Sequence, residues 1–286
     1  MSGCERLAPL YPLQYEPVVR QALEEDLGRA GDLTTDAIVP LQARATGYLV
    51  ARRQGCIAGL DVAACAFRLL DPSLEISWYC HDGQVVEAKT TLAEVRCAAR
   101  ALLSAERVAL NFLGRLSGVA SVTHQLVTAV QESSAHVVCT RKTTPGLRTL
   151  EKYAVRAGGG ANHRFGLDDA VLIKDNHLVL AGSITEAVQR VRRTVGHLVK
   201  IEVEVDTLEQ LEVALTCDID AVLLDNMAPP QLCEAVRRVA GRVITEASGG
   251  ITLETARAVA ASGVDLLSVG WLTHSAPALD VALDML

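Results

Sequence analysis

The sequence is poor in aromatic side chains and lacks several patterns that mark other protein classes. Aromatic residues make up only 3% of the 286 residues although half of the chain is hydrophobic, so alanine, valine and leucine must fill the interior. Such filling is typical of parallel strands covered by alanine-rich helices. The longest uncharged run, 116–131, is too short and too polar to span a bilayer. No N-terminal stretch combines a basic start with an apolar run, so we expect no signal peptide.

The chain also has no excess of basic residues. The net charge of −7 argues against non-specific binding to nucleic acid or to a membrane surface. The eight cysteines include no Cys-x-x-Cys pair, and a chain of this size does not need disulfides, so we expect reduced, mostly buried thiols in a cytoplasmic protein. Cys139 is expected to be a packed strand residue, because no neighbouring residue supplies a general base for a nucleophile.

The first hundred residues predict strands and helices in irregular order, which favours an α+β domain. Next, a helix over 101–116 with Ser104 as its N-cap is expected to end at Gly114 or Gly118, before a second helix over 119–131. The other elements predicted in this part are a helix over 15–27, a loop over 31–35, a strand over 45–51, a helix over 61–70, a strand over 74–80 and short extended pieces over 85–98.

From residue 136 onward, apolar strands alternate regularly with helices, which predicts a parallel sheet with right-handed crossovers. Polar residues follow almost every strand, so a closed or nearly closed barrel is favoured over an open doubly wound sheet. The missing GxGxxG fingerprint weakens a dinucleotide-binding interpretation. We predict an N-terminal domain over 1–116 and a barrel over 117–286, whose last helix is free to pack back on the first domain. The strands are expected at 136–141, 170–174, 199–205, 221–225, 243–247 and 266–270, and helices at 184–194, 208–215, 230–239 and 253–261.

The segment 136–177 carries seven basic and four acidic side chains in an otherwise acidic protein. Arg141, Lys142 and Lys174 stand where buried strands end, and we interpret them as an anion-binding floor. Arg148, Lys152 and Arg156 recur at helical spacing, which is typical of a solvated helix face.

Acids and glycines follow the later strands. Glu202 and Glu204 alternate with valines and therefore share one strand face, where burial is costly unless cations or a metal ion compensate. A Lys–Glu network that merely fills the barrel is the alternative. Ser248, Gly249 and Gly250 lie between a strand and a helix, where backbone N–H groups can approach a phosphate. Gly270 follows the last strand, where barrels commonly bind phosphate. The whole pattern therefore predicts group transfer on a phosphosugar, with Mg²⁺ bound by carboxylates and by the substrate's phosphates.

These residues carry a resemblance to the quinolinate phosphoribosyltransferase family, also called carboxylating nicotinate-nucleotide pyrophosphorylases. The resemblance begins near residue 25 and covers nearly the whole remaining chain. The matching motifs are ERVALN (106–111), TRKTTPGLR (140–148), KYAVRAGGG (152–160), HR (163–164), LIKDNH (172–177), EVEV (202–205), LDN (224–226), EASGG (246–250), SVG (268–270) and LTHS (272–275).

The resemblance implies an α/β N-terminal domain followed by an incomplete TIM-like barrel of about six to seven strands. It implies that quinolinate and phosphoribosyl pyrophosphate (PRPP) react, with Mg²⁺, to give nicotinate mononucleotide, CO₂ and pyrophosphate in NAD synthesis. It also implies a homodimer in which Arg107 reaches the neighbouring subunit's site, and it leaves higher assembly open.

By motif, the resemblance implies that Arg141, His163, Arg164 and Lys174, with Arg107 from the neighbouring subunit, hold quinolinate. It implies that Lys142, Glu204 and Asp225 are catalytic, and that Glu204 and Asp225 hold Mg²⁺ directly or through water. The residues implied around the phosphoribosyl group are Lys142, Glu204, Asp225, Ser248, Gly249, Gly250 and Gly270.

Three alternatives stay open at the level of sequence. The first is a paralogue of the molybdenum-transport-associated type that acts on another acid. The second is an aldolase that forms a Schiff base on Lys174, against which the adjacent acids argue. The third is a non-catalytic phosphosugar-binding module, which would not need all the charged strand ends.

Overall fold

The computed structural model describes residues 7–285, which form two compact units. The first unit contains the described residues up to His124, together with 143–159 and the segment from Leu272 onward. The second unit contains 125–142 and 160–271. Within the described residues, no helix has the length and apolar character needed to cross a membrane. Seven cysteines in this range are free thiols, and Cys4 lies outside the described residues.

The N-terminal elements surround an antiparallel sheet. After a short 3-10 turn, Pro12–Gln14, they are α1 (Glu16–Leu27), α2 (Leu33–Ile38), β1 (Arg44–Ala51), β2 (Gly55–Cys56), α3 (Leu60–Leu70), β3 (Glu75–Trp78), β4 (Val85–Val86), β5 (Thr91–Ala98) and α4 (Ala99–Val130).

The remaining elements mostly alternate between strand and helix. They are β6 (His136–Val138), α5 (Arg148–Ala157), β7 (Val171–Ile173), α6 (Asp175–Ala181), α7 (Ile184–Thr194), β8 (Ile201–Val205), α8 (Leu208–Ala214), β9 (Ala221–Asp225), α9 (Pro229–Val239), β10 (Ile244–Ser248), α10 (Leu253–Ala260), β11 (Leu266–Ser268), α11 (Trp271–His274) and β12 (Val281–Met285).

The first unit contains the four-stranded sheet β12-β1-β5-β3, in which all paired strands are antiparallel. The last helix was expected to be free to pack back on the first domain; the segment from Leu272 onward belongs to the first unit and ends in the strand β12, which pairs along the edge of β1. Leu283 of this strand lies against Gly47, where an added Cβ would come within 2.8 Å of its Cδ1 atom. The loop expected over 31–35 is partly helical, because the Asp32 side chain accepts a hydrogen bond from the Thr35 N–H at 3.0 Å and caps α2.

Helix α4 replaces the two helices expected between residues 101 and 131. Gly114 and Gly118 were interpreted as possible helix ends, and the structure corrects this. A Cβ on Gly114 would lie 2.9 Å from the carbonyl oxygen of Leu279, and one on Gly118 would collide with that of Pro277. The two glycines therefore let the C-terminal segment lie against the middle of one continuous helix.

The second unit contains the six-stranded sheet β6-β11-β10-β9-β8-β7, and every pairing is parallel. Among the described residues, β6 and β7 form no ladder with each other, so the barrel is incomplete, which confirms the predicted fold class. In β8 the residues Ile201, Val203 and Val205 are buried on one face, while Glu202 and Glu204 occupy the other.

Candidate active site

The register of the parallel sheet gathers polar side chains on one face near the carboxyl ends of the strands. Glu204 is opposite Leu223, and Leu223 is opposite Glu246, so these three side chains share a face. The remaining members follow from the same register and the two-residue period of a strand. The charged and hydroxyl residues of this face are Lys174, Glu202, Glu204, Asp225, Glu246, Ser248 and Ser268.

A lysine–glutamate pair stands on this face. Lys174 Nζ lies 2.7 Å from Glu204 Oε2. The Lys174 side chain is 47% exposed, whereas that of Glu204 is only 12% exposed, so the ammonium group remains open to solvent. A cation in this position can exchange part of its interaction with Glu204 for an incoming anion.

Arg164 carries a guanidinium group that the protein only partly satisfies. Its Nη1 donates to the Ala170 carbonyl oxygen at 3.0 Å, while its Nε is buried without a hydrogen-bond partner. Burial lowers the pKa of Arg164, and the nearby charge of Arg141 lowers it further. Two neighbouring cations with a spare buried donor provide a site for a planar, negatively charged group.

His163 forms a cluster with two buried carboxylates of this face, Glu202 and Glu246. His163 Nε2 is 2.9 Å from Glu202 Oε2 and 3.6 Å from Glu246 Oε1. Burial raises the pKa of Glu246 to about 7, and the charge of Glu202 acts in the same direction. Sequence reasoning did not include Glu246 among the site residues, because its role depends on strand register.

The turn after β10 has the backbone shape expected of a phosphate nest. Gly249 has φ +95°, and a Cβ there would collide with the Asn226 Oδ1 atom. The Asn226 N–H donates to the Ser248 carbonyl oxygen at 2.9 Å, and its Nδ2 donates to Asp225 Oδ2 at 2.6 Å. Glycine at 249 is thus required both by the conformation and by the close approach of Asn226.

Gly270, which follows β11, also leaves room for a neighbouring side chain. A Cβ on Gly270 would come within 2.8 Å of Lys142 Cδ, so the absent side chain makes room for the lysine. Lys142 is exposed, and its own N–H donates to Thr140 Oγ1 at 3.0 Å. The structure therefore brings Lys142 to the glycine that follows the last barrel strand.

Arg107 belongs to the first unit, where it is exposed on α4. It lines a surface pocket of that unit together with the acids Glu25 and Asp26 and with Asn111 and Arg115. The surroundings of Arg107 within its own unit thus include both signs of charge.

The helix α5 corrects the expectation of a solvated basic face. Lys152 is completely buried, and so is the neighbouring Glu151. Glu151 accepts hydrogen bonds from Arg115 Nη2 at 2.7 Å and from the Thr144 N–H at 2.9 Å. Helical spacing predicted a solvated face because the sequence does not show which elements cover a helix.

Matches to known proteins cover residues of both units. Family models for quinolinate phosphoribosyl transferase match residues 32–117 (N-terminal domain) and 119–284 (C-terminal domain). A Mycobacterium leprae protein named nicotinate-nucleotide pyrophosphorylase [carboxylating] is 46% identical over 275 residues, covering 93% of this chain and 95% of its own. A Bacillus subtilis protein, named as a probable enzyme of the same kind, is 43% identical over 273 residues, covering 96% and 94%.

A solved structure gives the same result for the fold. The nicotinate-nucleotide pyrophosphorylase from Francisella tularensis superposes with a TM-score of 0.91 at 35% identity, and the match covers 99% of each chain. The sequence matches and the structural match both extend over nearly the whole length. The chain belongs to the quinolinate phosphoribosyl transferase family.

Proposed function

We propose that the protein transfers the phosphoribosyl group of PRPP to quinolinate with loss of CO₂, giving nicotinate mononucleotide and pyrophosphate in NAD synthesis. The observation that carries the proposal is the buried, unpartnered Nε of Arg164 beside Arg141. Family membership supports it, as do relatives named carboxylating nicotinate-nucleotide pyrophosphorylases.

The two carboxylates of quinolinate are bound by Arg141, Arg164 and Lys174. Guanidinium groups offer paired donors that fit a planar carboxylate, which an ammonium group does not reproduce. Mutual repulsion between Arg141 and Arg164 is relieved when a dianion binds, so the empty site favours occupation. His163, which the resemblance also assigns to quinolinate, has both ring nitrogens engaged by protein groups.

The phosphoribosyl group occupies the turn formed by Ser248, Gly249 and Gly250, with Lys142 and Gly270 beside it. Backbone N–H groups in such a turn bind phosphate oxygens, and the start of α10 adds favourable charge. Lys142 contributes a cation whose position depends on the glycine at 270.

Glu204 and Asp225 would hold Mg²⁺, directly or through water. Asp225 lies two residues beyond Leu223, the register partner of Glu204, so the two carboxylates share a face on adjacent strands. This pair of hard oxygen ligands fits an ion that binds through one or two carboxylates and substrate phosphates. Bound Mg²⁺ would neutralise charge on the leaving pyrophosphate.

In the reaction, the pyridine nitrogen attacks the ribose C1, the bond to pyrophosphate breaks, and positive charge develops on the sugar. Glu204 and Asp225 stabilise that charge. Cleavage of the bond to the 2-carboxylate then releases CO₂ and leaves a ring carbanion beside the cationic nitrogen, and a proton from water completes the product. Lys174 acts as a charge partner and forms no Schiff base.

The test is to incubate purified protein with quinolinate, PRPP and Mg²⁺ and to measure CO₂ and pyrophosphate. We expect stoichiometric release of both, with nicotinate in place of quinolinate giving neither. Failure of the folded protein to turn over, or turnover of another acid but not of quinolinate, would overturn the proposal.

We further propose a cytoplasmic homodimer in which Arg107 completes the partner's site. The exposure of Arg107 on α4 supports this, because an exposed guanidinium group is accessible to a neighbouring chain. Mixing inactive Arg107→Ala chains with inactive Lys174→Ala chains should restore partial activity. If subunits are shown to exchange and no activity returns, each chain builds its site alone.

A further inference from the structure

Both ring nitrogens of His163 are occupied by groups of the protein. The Arg164 N–H donates to His163 Nδ1 at 2.7 Å. A ring nitrogen that accepts a hydrogen bond carries no proton, so the single ring proton belongs to Nε2. Nε2 lies 2.9 Å from Glu202 Oε2, and the imidazole side chain is only 13% exposed. The hydrogen bonds therefore fix a neutral imidazole with its proton directed at Glu202.

The same hydrogen bonds argue against a cation among His163, Glu202 and Glu246. One ligand atom from each of the three lies within 4.8 Å of the others, a spacing that fits a metal ion. A histidine that ligates through Nε2 normally donates its Nδ1–H to an acceptor. Here Nδ1 faces the N–H donor of Arg164, so Nε2 must keep its proton and cannot ligate.

Each of the two glutamates has one carboxylate oxygen that receives no hydrogen bond. Glu202 Oε1 and Glu246 Oε1 are buried and have no hydrogen-bond donor. The deep burial of Glu246 favours its neutral form, in which the carboxyl group can donate a proton to a neighbouring oxygen. Two hydrogen bonds therefore link Glu202 through His163 to the backbone of Arg164.

We propose that His163 is a positioning residue for Arg164 and does not itself bind a substrate carboxylate. These hydrogen bonds tie the Arg164 backbone to strand β8. The Ala170 carbonyl oxygen holds the other end of Arg164, through its guanidinium group. The inference rests on the proposed function: in quinolinate binding the charges come from Arg141, Arg164 and Lys174, and His163 fixes where Arg164 presents its free donor.

Nitrogen-15 NMR of histidine-labelled protein tests the tautomer directly, with His163→Asn used to assign the signals. We expect the neutral pattern with the proton on Nε2 in the free protein, unchanged when quinolinate is added to saturation. A protonated ring in the free protein, or a ring that becomes protonated or changes tautomer with quinolinate, would overturn the inference. Calorimetry on the same samples measures quinolinate binding and so separates the two proposals. Absence of binding would contradict the proposed function, while the spectrum of the free protein would still decide the tautomer of His163.

Substitutions give a second, kinetic test. His163→Asn retains an acceptor for the Arg164 N–H, whereas His163→Lys supplies a cation and removes that acceptor. We expect the KM for quinolinate to rise roughly tenfold in the Asn variant and about a hundredfold in the Lys variant, with the KM for PRPP unchanged. If the Lys variant retains more quinolinate affinity than the Asn variant, His163 acts as a charged ligand and the inference is wrong.

Discussion

Each unit of the protein buries a cluster of charged side chains, and the two clusters differ in how completely they are satisfied. In the first unit, Glu151 is fully buried and accepts from Arg115 and from Thr144. In the second unit, Arg164 and Glu246 each keep a buried polar atom without a partner. Buried polar groups normally have partners, so the first cluster serves the fold, whereas the second leaves polar atoms free for the proposed ligand.

Basic residues that look alike in the sequence have different environments in the two units. Arg141 and Lys142 follow strand β6, while Arg148 and Lys152 lie in helix α5 only a few residues later. All four are basic residues of one motif-rich segment, yet Lys152 is completely buried and Arg141 and Lys142 are exposed. Charge alone does not distinguish a buried structural residue from one that we propose to bind substrate.

The largest expected effect comes from breaking the satisfied cluster. Arg115→Ala leaves the buried Glu151 charge without its main partner, and we expect the free energy of unfolding to fall by about 3–5 kcal/mol. Urea denaturation measures this loss. Arg20→Ala, which removes an exposed pair with Glu16, is the control and should cost no more than about 0.5 kcal/mol. Equal losses in both variants would contradict the structural role of the buried cluster.

The second effect tests the proposed carboxylate pocket, in which Arg164 keeps a buried donor and Arg141 is exposed. Arg164→Ala and Arg141→Ala should each lower kcat/KM for quinolinate more than about tenfold, because each removes a charged hydrogen-bond donor to the substrate. The melting temperature should change little. Arg190→Ala, on the outer helix α7 and paired with Glu186, is the matched control. Near-normal kinetics in both site variants would mean that the carboxylate pocket has been placed wrongly.

A smaller effect is expected at the phosphate nest. Gly249→Ala forces a Cβ onto Asn226 and should raise the KM for PRPP roughly tenfold while leaving the KM for quinolinate nearly unchanged. Gly241→Ala is the control, because that glycine also has a positive φ but faces open space. Steady-state kinetics with each substrate varied separately measure the change. A control variant equally impaired for PRPP would show that backbone strain, not the nest, is responsible.

The last prediction concerns pH. Folding raises the pKa of Glu246 from 4.5 to about 7 because the carboxyl is buried beside Glu202, with His163 and Ser268 also facing it. Its neutral form therefore stabilises the fold fully below pH 4.5, and this contribution is lost as the pH rises through 7. Glu246→Gln cannot ionise, so its melting temperature relative to the wild type should rise between pH 5 and pH 8. A difference that stays constant with pH would rule out titration of Glu246 in this range.

Much of the fold followed from local patterns. The alternation of apolar strands and amphipathic helices after residue 136 located all six parallel strands, and the helix at Ile184–Thr194 was predicted with its observed bounds. The errors occurred where distant segments decide the outcome. Gly114 and Gly118 resemble helix ends, but they accommodate the segment near Pro277 and Leu279. The final strand forms because β1 offers an edge to pair with.

By itself, the sequence determined the order of the six parallel strands, the family and the residue types at the strand ends, because these depend on short-range pattern and motif. Only the tertiary structure decided that Lys152 is buried and that His163 meets a carboxylate 39 positions away. It also decided that Arg164 keeps a free donor while Glu151 has partners for its oxygens. The physical reason is that satisfying a buried charge requires contacts among segments far apart along the chain, and no local pattern records them.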